Sequence, residues 1–284
     1  MEALAERRKR LAGMLLALPA ALWLLLFFLL PLAIVLIVSF LTRAPNGTGE
    51  LPFTLANYER VLDVFSPVLW RSLQMAFLST VICLLIGYPL AFFISTRKRN
   101  WVRQFCIFLV ILPFWTNFLV RTYAWRVLLG DDGIANNFLL NLGLISEPIQ
   151  LLNTQFAVIV GLVYGFLPFM VLPIFASVER FDFRFVDAAH DLGANDLRAF
   201  FEVIFPLTLP GVFAGCALVF IPCVGAFVTP DLLGGTSGLM IGNLIQRQFG
   251  GSGNMPLGSA LSIVMMVIVM VTLLAYVRLG TRRS

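Results

Sequence analysis

The sequence predicts an all-α polytopic membrane protein with six transmembrane helices. Hydrophobic residues make up 60% of its 284 residues, against roughly 45–50% in soluble proteins. Charged residues make up only 12%, against about 25% in soluble proteins. The apolar residues are also gathered into runs long enough to cross a bilayer, since a spanning helix needs about 20 of them.

The predicted spans follow one another along the chain. The first is the run 11–41, which follows the basic cluster 7–10 and is too long for the apolar region of a signal peptide. Pro19 and Pro31 are expected to kink this helix. The other five spans are predicted at 68–95, 104–128, 154–178, 207–229 and 256–278. Prolines are expected to interrupt the third and fourth of the six spans, at Pro113, Pro168 and Pro173.

Three stretches between the spans have other compositions. Residues 43–67 and 130–153 are polar and are predicted to lie outside the membrane, the second with a short helix. Residues 231–255 are rich in glycine and fit either a plain loop or a short re-entrant element around Met240–Phe249.

The basic residues predict the orientation of the chain. If residues 1–10 are cytoplasmic, 14 of the 20 Lys and Arg residues fall in segments that face the cytoplasm. Cytoplasmic loops of membrane proteins carry such an excess. The sequence therefore predicts that both termini and the segment 180–206 are cytoplasmic.

The segment 180–206 has the pattern of a helix, a turn and a second helix. One apolar face arises at helical spacing from Phe185, Ala188, Ala189 and Leu192. Gly193 is placed to end the first helix in a left-handed conformation. Asn195 or Asp196 is placed to cap a second helix that runs to Ile204, and Pro206 then starts a new element. A membrane protein without a soluble domain has little internal use for such a segment, so it is interpreted as a docking surface for a cytoplasmic partner.

Several functions are disfavoured by what the sequence lacks. The four cysteines, Cys83, Cys106, Cys216 and Cys223, all lie in apolar runs, which predicts neither a disulfide framework nor a metal site. The glycine-rich stretch 234–238 contains no lysine, so it does not match the phosphate-binding loop of ATPases. No cofactor and no catalytic residue is predicted, and His190, the only histidine, is interpreted as an ordinary surface residue.

The docking segment resembles the EAA loop of ABC-importer permeases. The resemblance is carried by Asp187, Ala188, Ala189, Gly193, Ile204 and Pro206. In that family the loop forms a coupling helix that sits in a groove of the ATPase subunit. The family usually has Glu at the position of Asp187, which keeps the charge but shortens the side chain by one methylene.

Other segments are similar to spermidine/putrescine permeases within that class. The run Pro113–Tyr123 looks like their third-helix signature, and Phe53–Tyr58 resembles their first external loop. Further similar segments are Leu162–Tyr164, Leu167–Met170, Asp231–Gly235 and Ile241–Asn243. Relatives that carry iron, sulfate or thiamine remain as alternatives.

The resemblance implies a type I ABC-importer permease in a bacterial inner membrane. It divides the chain into a basic N-terminus (1–10), a first helix with its external loop (11–66) and a five-helix permease core (67–280). It also implies three kinds of protein partner: a second homologous permease, a cytoplasmic ATPase dimer and an external substrate-binding protein. The chain itself would perform no covalent chemistry.

Five residues are candidates for the substrate path: Trp115, Asn117, Tyr123, Tyr164 and Asp231. Aromatic faces and a carboxylate attract ammonium groups, but helix packing and capping are equally open roles for these side chains. Trp115 is placed roughly 15 Å into the third span at 1.5 Å per residue. Arg121 is interpreted as a structural or gate residue that pairs with Asp131 or Asp132.

Two other classes of function are less well supported. An ion-coupled secondary transporter needs ionisable residues near the middle of the membrane, and often inverted repeats. Neither is found in the sequence. A membrane enzyme needs a catalytic constellation, and none is recognised.

Overall fold

The computed structural model describes residues 18–250 and 253–281, and these residues are mostly helical. The predicted basic N-terminus, 1–10, lies outside them. The elements up to the middle of the chain are α1 (Leu18–Ser39), β1 (Leu41–Arg43), β2 (Gly49–Phe53), α2 (Ala56–Asp63), α3 (Ser66–Ser95), α4 (Asn100–Trp115), α5 (Phe118–Leu129) and α6 (Ile134–Asn141). They are followed by α7 (Gln155–Glu179), α8 (Arg184–Asp191), α9 (Asp196–Val224), α10 (Val228–Leu233), α11 (Ile241–Gln248) and α12 (Met255–Thr281).

The number of spans agrees with the predicted six. Among the described residues, α1, α3, α7, α9 and α12 are each long and apolar enough to cross a membrane. A sixth span results if α4 and the segment Phe118–Asn141 count as one broken span.

The larger of two compact units contains Phe65–Gln246 and the chain from Met265 onward. Its core is formed by α3, α7 and α9, which pack against one another in pairs. A Cβ atom at Gly87 or Gly215 would lie 2.9 or 2.7 Å from the side chain of Met170, so only glycine permits this approach of α3 and α9 to α7. The Tyr88 and Thr208 hydroxyl oxygens lie 2.9 Å apart in a hydrogen bond that also links α3 to α9.

The smaller unit contains the described chain up to Val64 together with Arg247–Val264. The predicted external loop 43–67 contains β2 and α2, and β2 pairs antiparallel with β1. The Asn57 amide nitrogen fixes α2 to the preceding chain because it donates to the carbonyl oxygens of Ser39 (3.0 Å) and Leu41 (2.8 Å).

The two prolines of α7 do not interrupt that helix. The helix α7 runs through Pro168 and Pro173 without a break, so the predicted interruption of the fourth span is wrong. In α1, a π turn at Leu25–Leu29 precedes Pro31. A wider turn of this kind accommodates a residue that has no N–H group.

The fifth span begins earlier than predicted. The helix α9 starts at Asp196 rather than at 207, and Pro206 lies inside it instead of starting a new element. A π turn at Phe200–Ile204 again precedes the proline, and the Phe205 N–H donates to the carbonyl of Phe200 across it. The second helix of the docking segment is therefore continuous with a membrane span.

The third span, predicted over 104–128 with an interruption at Pro113, is indeed interrupted, and it divides into two sharply bent helices. The segment Phe118–Asn141 is bent by 93° from Asn100–Trp115. The chain leaves helical geometry at Thr116 and Asn117, whose ψ angles are 146° and 134°. Pro113 lies within the short 3-10 turn that precedes the break.

Candidate functional site

The predicted helix–turn–helix is present at 184–204. The carboxylate of Asp182 accepts from the N–H of Arg184 (3.0 Å) at the start of α8. At its end, Gly193 has a φ of +87°, a conformation that glycine adopts at little cost. The Asn195 side chain then accepts from the N–H of Arg198 (2.8 Å). Asn195, rather than Asp196, is therefore the cap of α9.

The predicted coupling residues are exposed or half-buried, with the exception of Ile204, which is buried. Asp187, Ala188 and Gly193 are exposed on α8 and its turn, and Ala189 is half-buried. Pro206 is exposed in α9, whereas Ile204 is only 6% exposed. Ile204 therefore packs inside the protein and does not belong to the exposed surface.

Apolar side chains other than the predicted coupling residues are also exposed on this segment. Leu192 is 90% exposed and Leu197 is 70% exposed, and Phe201 is exposed on the next turn of α9. Leucine and phenylalanine side chains on an exposed surface mark an interaction site when they form a patch. We call Leu192, Leu197 and Phe201, with the exposed residues of α8, the docking surface.

Two contacts between polar side chains lie on this surface. His190 Nε2 lies 3.2 Å from Asp196 Oδ1 across the turn, and Arg198 Nε lies 3.0 Å from Glu202 Oε1 along α9. The sequence analysis gave His190 no role, because its partner lies in the following helix. A groove of about 510 Å³ lies between the end of α7 and the middle of α9, and Arg180 and Asp182 are among its lining residues.

An aromatic cluster ties the start of α9 to α3. The ring of Phe200 meets that of Tyr88 edge-on at 5.6 Å between centroids, and that of Phe92 at 6.1 Å. Because Tyr88 is also hydrogen-bonded to Thr208, two positions of α9, Phe200 and Thr208, contact the same side chain of α3.

The break between α4 and α5 contains two of the predicted path residues. Asn117 caps α5, since its side-chain oxygen accepts from the N–H of Leu119 (2.8 Å). Trp115 is 75% exposed, and its ring meets that of Phe108 at 5.9 Å. Because the third span is broken, the depth of Trp115 in the membrane does not follow from counting residues along one straight helix.

The other three path residues lie on helices that pack together. Tyr164 of α7 meets Trp125 of α5, with ring centroids 5.5 Å apart. Asp231 is exposed on α10, which packs against both α5 and α7. Tyr123 is exposed on α5. The ring of Tyr164 therefore contacts Trp125, a residue that the sequence analysis did not include in the site.

Arg121 does not form the predicted ion pair. Within the described residues, neither Asp131 nor Asp132 lies within ion-pair distance of its guanidinium group. Instead its Cζ atom lies 5.4 Å from the centroid of the Phe114 ring and 5.7 Å from that of Phe118.

The family model described as "binding-protein-dependent transport system inner membrane component" matches residues 83–284. The chain belongs to this family. The predicted class, a permease of a binding-protein-dependent importer in the inner membrane, is confirmed.

Two permease proteins of known name and one chain of a solved structure are similar to this chain. The spermidine/putrescine transport system permease protein PotB of Haemophilus influenzae is 48% identical over 90% of this chain and 90% of its own length. The PotB protein of Escherichia coli is 45% identical over 90% of this chain and 93% of its own length. Among solved structures, a chain of a bacterial ABC transporter involved in the import of alginate superposes with a TM-score of 0.76. The alignment covers 99% of both chains at 16% identity, which shows a shared fold.

Proposed function

We propose that the chain is the pore-forming permease of an ATP-driven importer that takes up spermidine, putrescine or both. The observation that carries the proposal is the pair of bacterial relatives named for these polyamines, each of which matches 90% of the chain. The family description names dependence on a binding protein, which supports an external partner that delivers the substrate.

The docking surface is the proposed contact with the ATPase. Its support is the combination of exposed apolar side chains, such as Leu192 and Leu197, with the exposed carboxylate of Asp187. An ATPase dimer that closes on ATP would displace α8. The turn at Gly193 and the cap at Asn195 would pass this movement to α9.

The movement reaches the membrane spans through packed aromatic rings. Phe200 and Tyr88 connect the start of α9 to α3, and Ile204 is buried one turn further on. Packed interfaces of this kind switch between discrete arrangements. We therefore assign the change between outward-open and inward-open states to a joint shift of α8, α9 and α3.

The proposed substrate path is lined by Trp115, Asn117, Tyr123, Tyr164 and Asp231. Ring faces attract an ammonium group without holding it as firmly as a buried carboxylate would. Tyr164 is 37% exposed and Tyr123 is exposed, so their rings are accessible. Asp231, on a different helix, supplies a carboxylate that attracts a polycation to the mouth of the path.

The proposed assembly contains two permeases, this chain and a homologous one, with an ATPase dimer on the cytoplasmic side. Both termini and 180–206 face the cytoplasm, and 130–153 faces the external binding protein. In this arrangement 1–10 is a cytoplasmic tail, 11–66 adds a helix and an external loop, and 67–280 forms the permease core.

Uptake by reconstituted vesicles tests this function. Vesicles that contain the purified complex, supplied with ATP and loaded binding protein, are expected to accumulate labelled spermidine or putrescine. Accumulation of iron, sulfate or thiamine without polyamine uptake would contradict the substrate class.

Two substitutions test the path in the same vesicles. Trp115→Leu and Asp231→Asn are expected to lower uptake at saturating binding protein while the complex still assembles. Trp101→Leu is the matched control, because Trp101 is also exposed on α4 and stacks on Phe105 at 5.5 Å. Parental rates for both path variants would place the passage on other helices.

A further inference from the structure

The turn between α3 and α4 carries three consecutive exposed cations, Arg97, Lys98 and Arg99. It is only four residues long, since α3 ends at Ser95 and α4 begins at Asn100. The helix α3 is long and apolar enough to cross the membrane, and α4 is the first part of the broken third span. A four-residue connection that must also return rises at most about 7 Å above the helix ends, which is about the depth of a headgroup layer. The three cations therefore lie at the level of the lipid headgroups.

Acidic side chains of the described chain do not neutralise this turn. Glu179, at the end of α7, pairs instead with Arg103 of α4, with 2.9 Å between Oε1 and Nη1. Within the described residues, no carboxylate lies within ion-pair distance of 97–99. The first turn of α4 adds positive potential at the same place. The turn therefore attracts an anion from outside the chain.

The three cations are not equivalent. Arg97 folds back onto the end of α3, where its Nε donates to the carbonyl of Phe93 (3.3 Å). Its Cζ atom also lies 4.0 Å from the centroid of the Phe93 ring. Lys98 and Arg99 make no such contact with the described chain, so their side chains are the ones available to an anion.

An apolar face of α4 starts directly after the cations. Trp101, Phe105 and Phe108 are all exposed, and their spacing places them on one side of the helix. The ring of Trp101, 73% exposed, stacks on that of Phe105 at 5.5 Å between centroids. Tryptophan favours the interface between headgroups and hydrocarbon. Cations at headgroup level beside an apolar helix face match the two parts of an anionic phospholipid, its phosphate and its acyl chain.

The length of the turn favours a lipid over a protein of the water phase. The docking surface belongs to a longer segment, since 16 residues (180–195) separate α7 from α9. Such a segment can extend beyond the headgroups, so a soluble partner has α8 to bind. The turn 96–99 cannot extend in this way, and lipid headgroups surround it at its own level.

We propose that the turn 96–99 and the first two turns of α4 form a binding site for an anionic phospholipid. Lys98 and Arg99 bind the phosphate, and an acyl chain lies along Trp101 and Phe105. The site selects anionic over zwitterionic lipid, because each Lys or Arg at a membrane surface strengthens the attraction to anionic lipid about fivefold. This inference goes beyond the proposed function and depends neither on the transported substrate nor on the orientation of the chain.

Quenching by lipids that carry a nitroxide on an acyl chain tests the site. Asn100→Cys, in a purified complex without other reactive cysteines, carries a small fluorophore at the start of α4. The complex is placed in phosphatidylcholine vesicles that contain nitroxide-labelled phosphatidylglycerol or nitroxide-labelled phosphatidylcholine. We expect the labelled phosphatidylglycerol to reach the same quenching at a mole fraction about fivefold lower, or less.

Three pairs of substitutions identify the groups that bind the lipid. Lys98→Gln with Arg99→Gln is expected to abolish the preference for phosphatidylglycerol, and Lys98→Arg with Arg99→Lys is expected to keep it. Arg60→Gln with Arg126→Gln is the matched control, because it removes the same charge from two arginines that are exposed outside the turn. It is expected to keep the parental preference.

Four outcomes would overturn the lipid site. The first is equal quenching by both labelled lipids in the parental complex, and the second is an undiminished preference in Lys98→Gln with Arg99→Gln. If the preference appears only after the ATPase has been removed from the complex, protein covers the turn. If inorganic phosphate abolishes the preference at constant ionic strength, the turn binds a free anion and not a lipid.

Discussion

The turn between α8 and α9 depends on the backbone of a single residue, Gly193. Its φ is +87°, and a Cβ atom at this position would meet no atom within 4 Å. A side chain there is therefore opposed only by backbone strain, at roughly 1–2 kcal/mol. Such a cost reshapes a turn without preventing the spans from inserting.

Replacement of Gly193 by alanine tests the role of this turn. We expect Gly193→Ala to lower uptake and the stimulation of ATPase activity, with normal insertion, because strain at the turn misplaces α8. Gly143→Ala is the control, since Gly143 also has a positive φ (+68°) and open space around it but lies outside the docking segment. Equal uptake by both variants would remove the turn from the coupling mechanism.

At the level of helices, two glycines of α7 one turn apart have different surroundings. A Cβ atom at Gly161 would lie 2.6 Å from Thr229 Cγ2 and 2.7 Å from Leu233 Cδ1. Both of these residues are buried in α10. At Gly165 a Cβ atom would lie 3.8 Å from the ring of Phe118, which is an ordinary contact. Of the two, only Gly161 is required for close packing of α7 and α10.

Replacing Gly161 and Gly165 by alanine, one at a time, tests whether only Gly161 is required for close packing. We expect Gly161→Ala to destabilise the protein by about 1–3 kcal/mol, because the added methyl group pushes α10 away from α7. Gly165→Ala is expected to have little effect. Thermal unfolding of the purified complex measures both, and a larger loss for Gly165→Ala than for Gly161→Ala would contradict this packing.

At the level of the whole molecule, the orientation in the membrane is a prediction from the basic residues. Single cysteines at Asn100 and Asn141, in a variant that lacks the four native cysteines, report it. Both positions are exposed. In intact cells an impermeant thiol reagent is expected to label Asn141→Cys and not Asn100→Cys. The opposite pattern would invert the orientation.

The arrangement of spans along the chain could be predicted because it depends on local composition. In a bilayer each spanning helix must satisfy its own backbone hydrogen bonds, so an apolar run of sufficient length specifies a helix wherever its neighbours lie. The turn at Gly193 and the cap at Asn195 were predictable for the same reason, since both depend on contacts within a few residues.

An interruption of the third span was expected at Pro113, but its sharp bend and the partners of its side chains could not be predicted in this way. Pro168 and Pro173 leave α7 continuous, whereas the chain near Pro113 turns by 93° at Thr116–Asn117. The same residue type therefore has opposite outcomes, because the packing around each helix decides whether lost hydrogen bonds are compensated. The contact of Tyr164 with Trp125, and the absence of a described acceptor for Arg121, likewise depend on which helices meet in three dimensions.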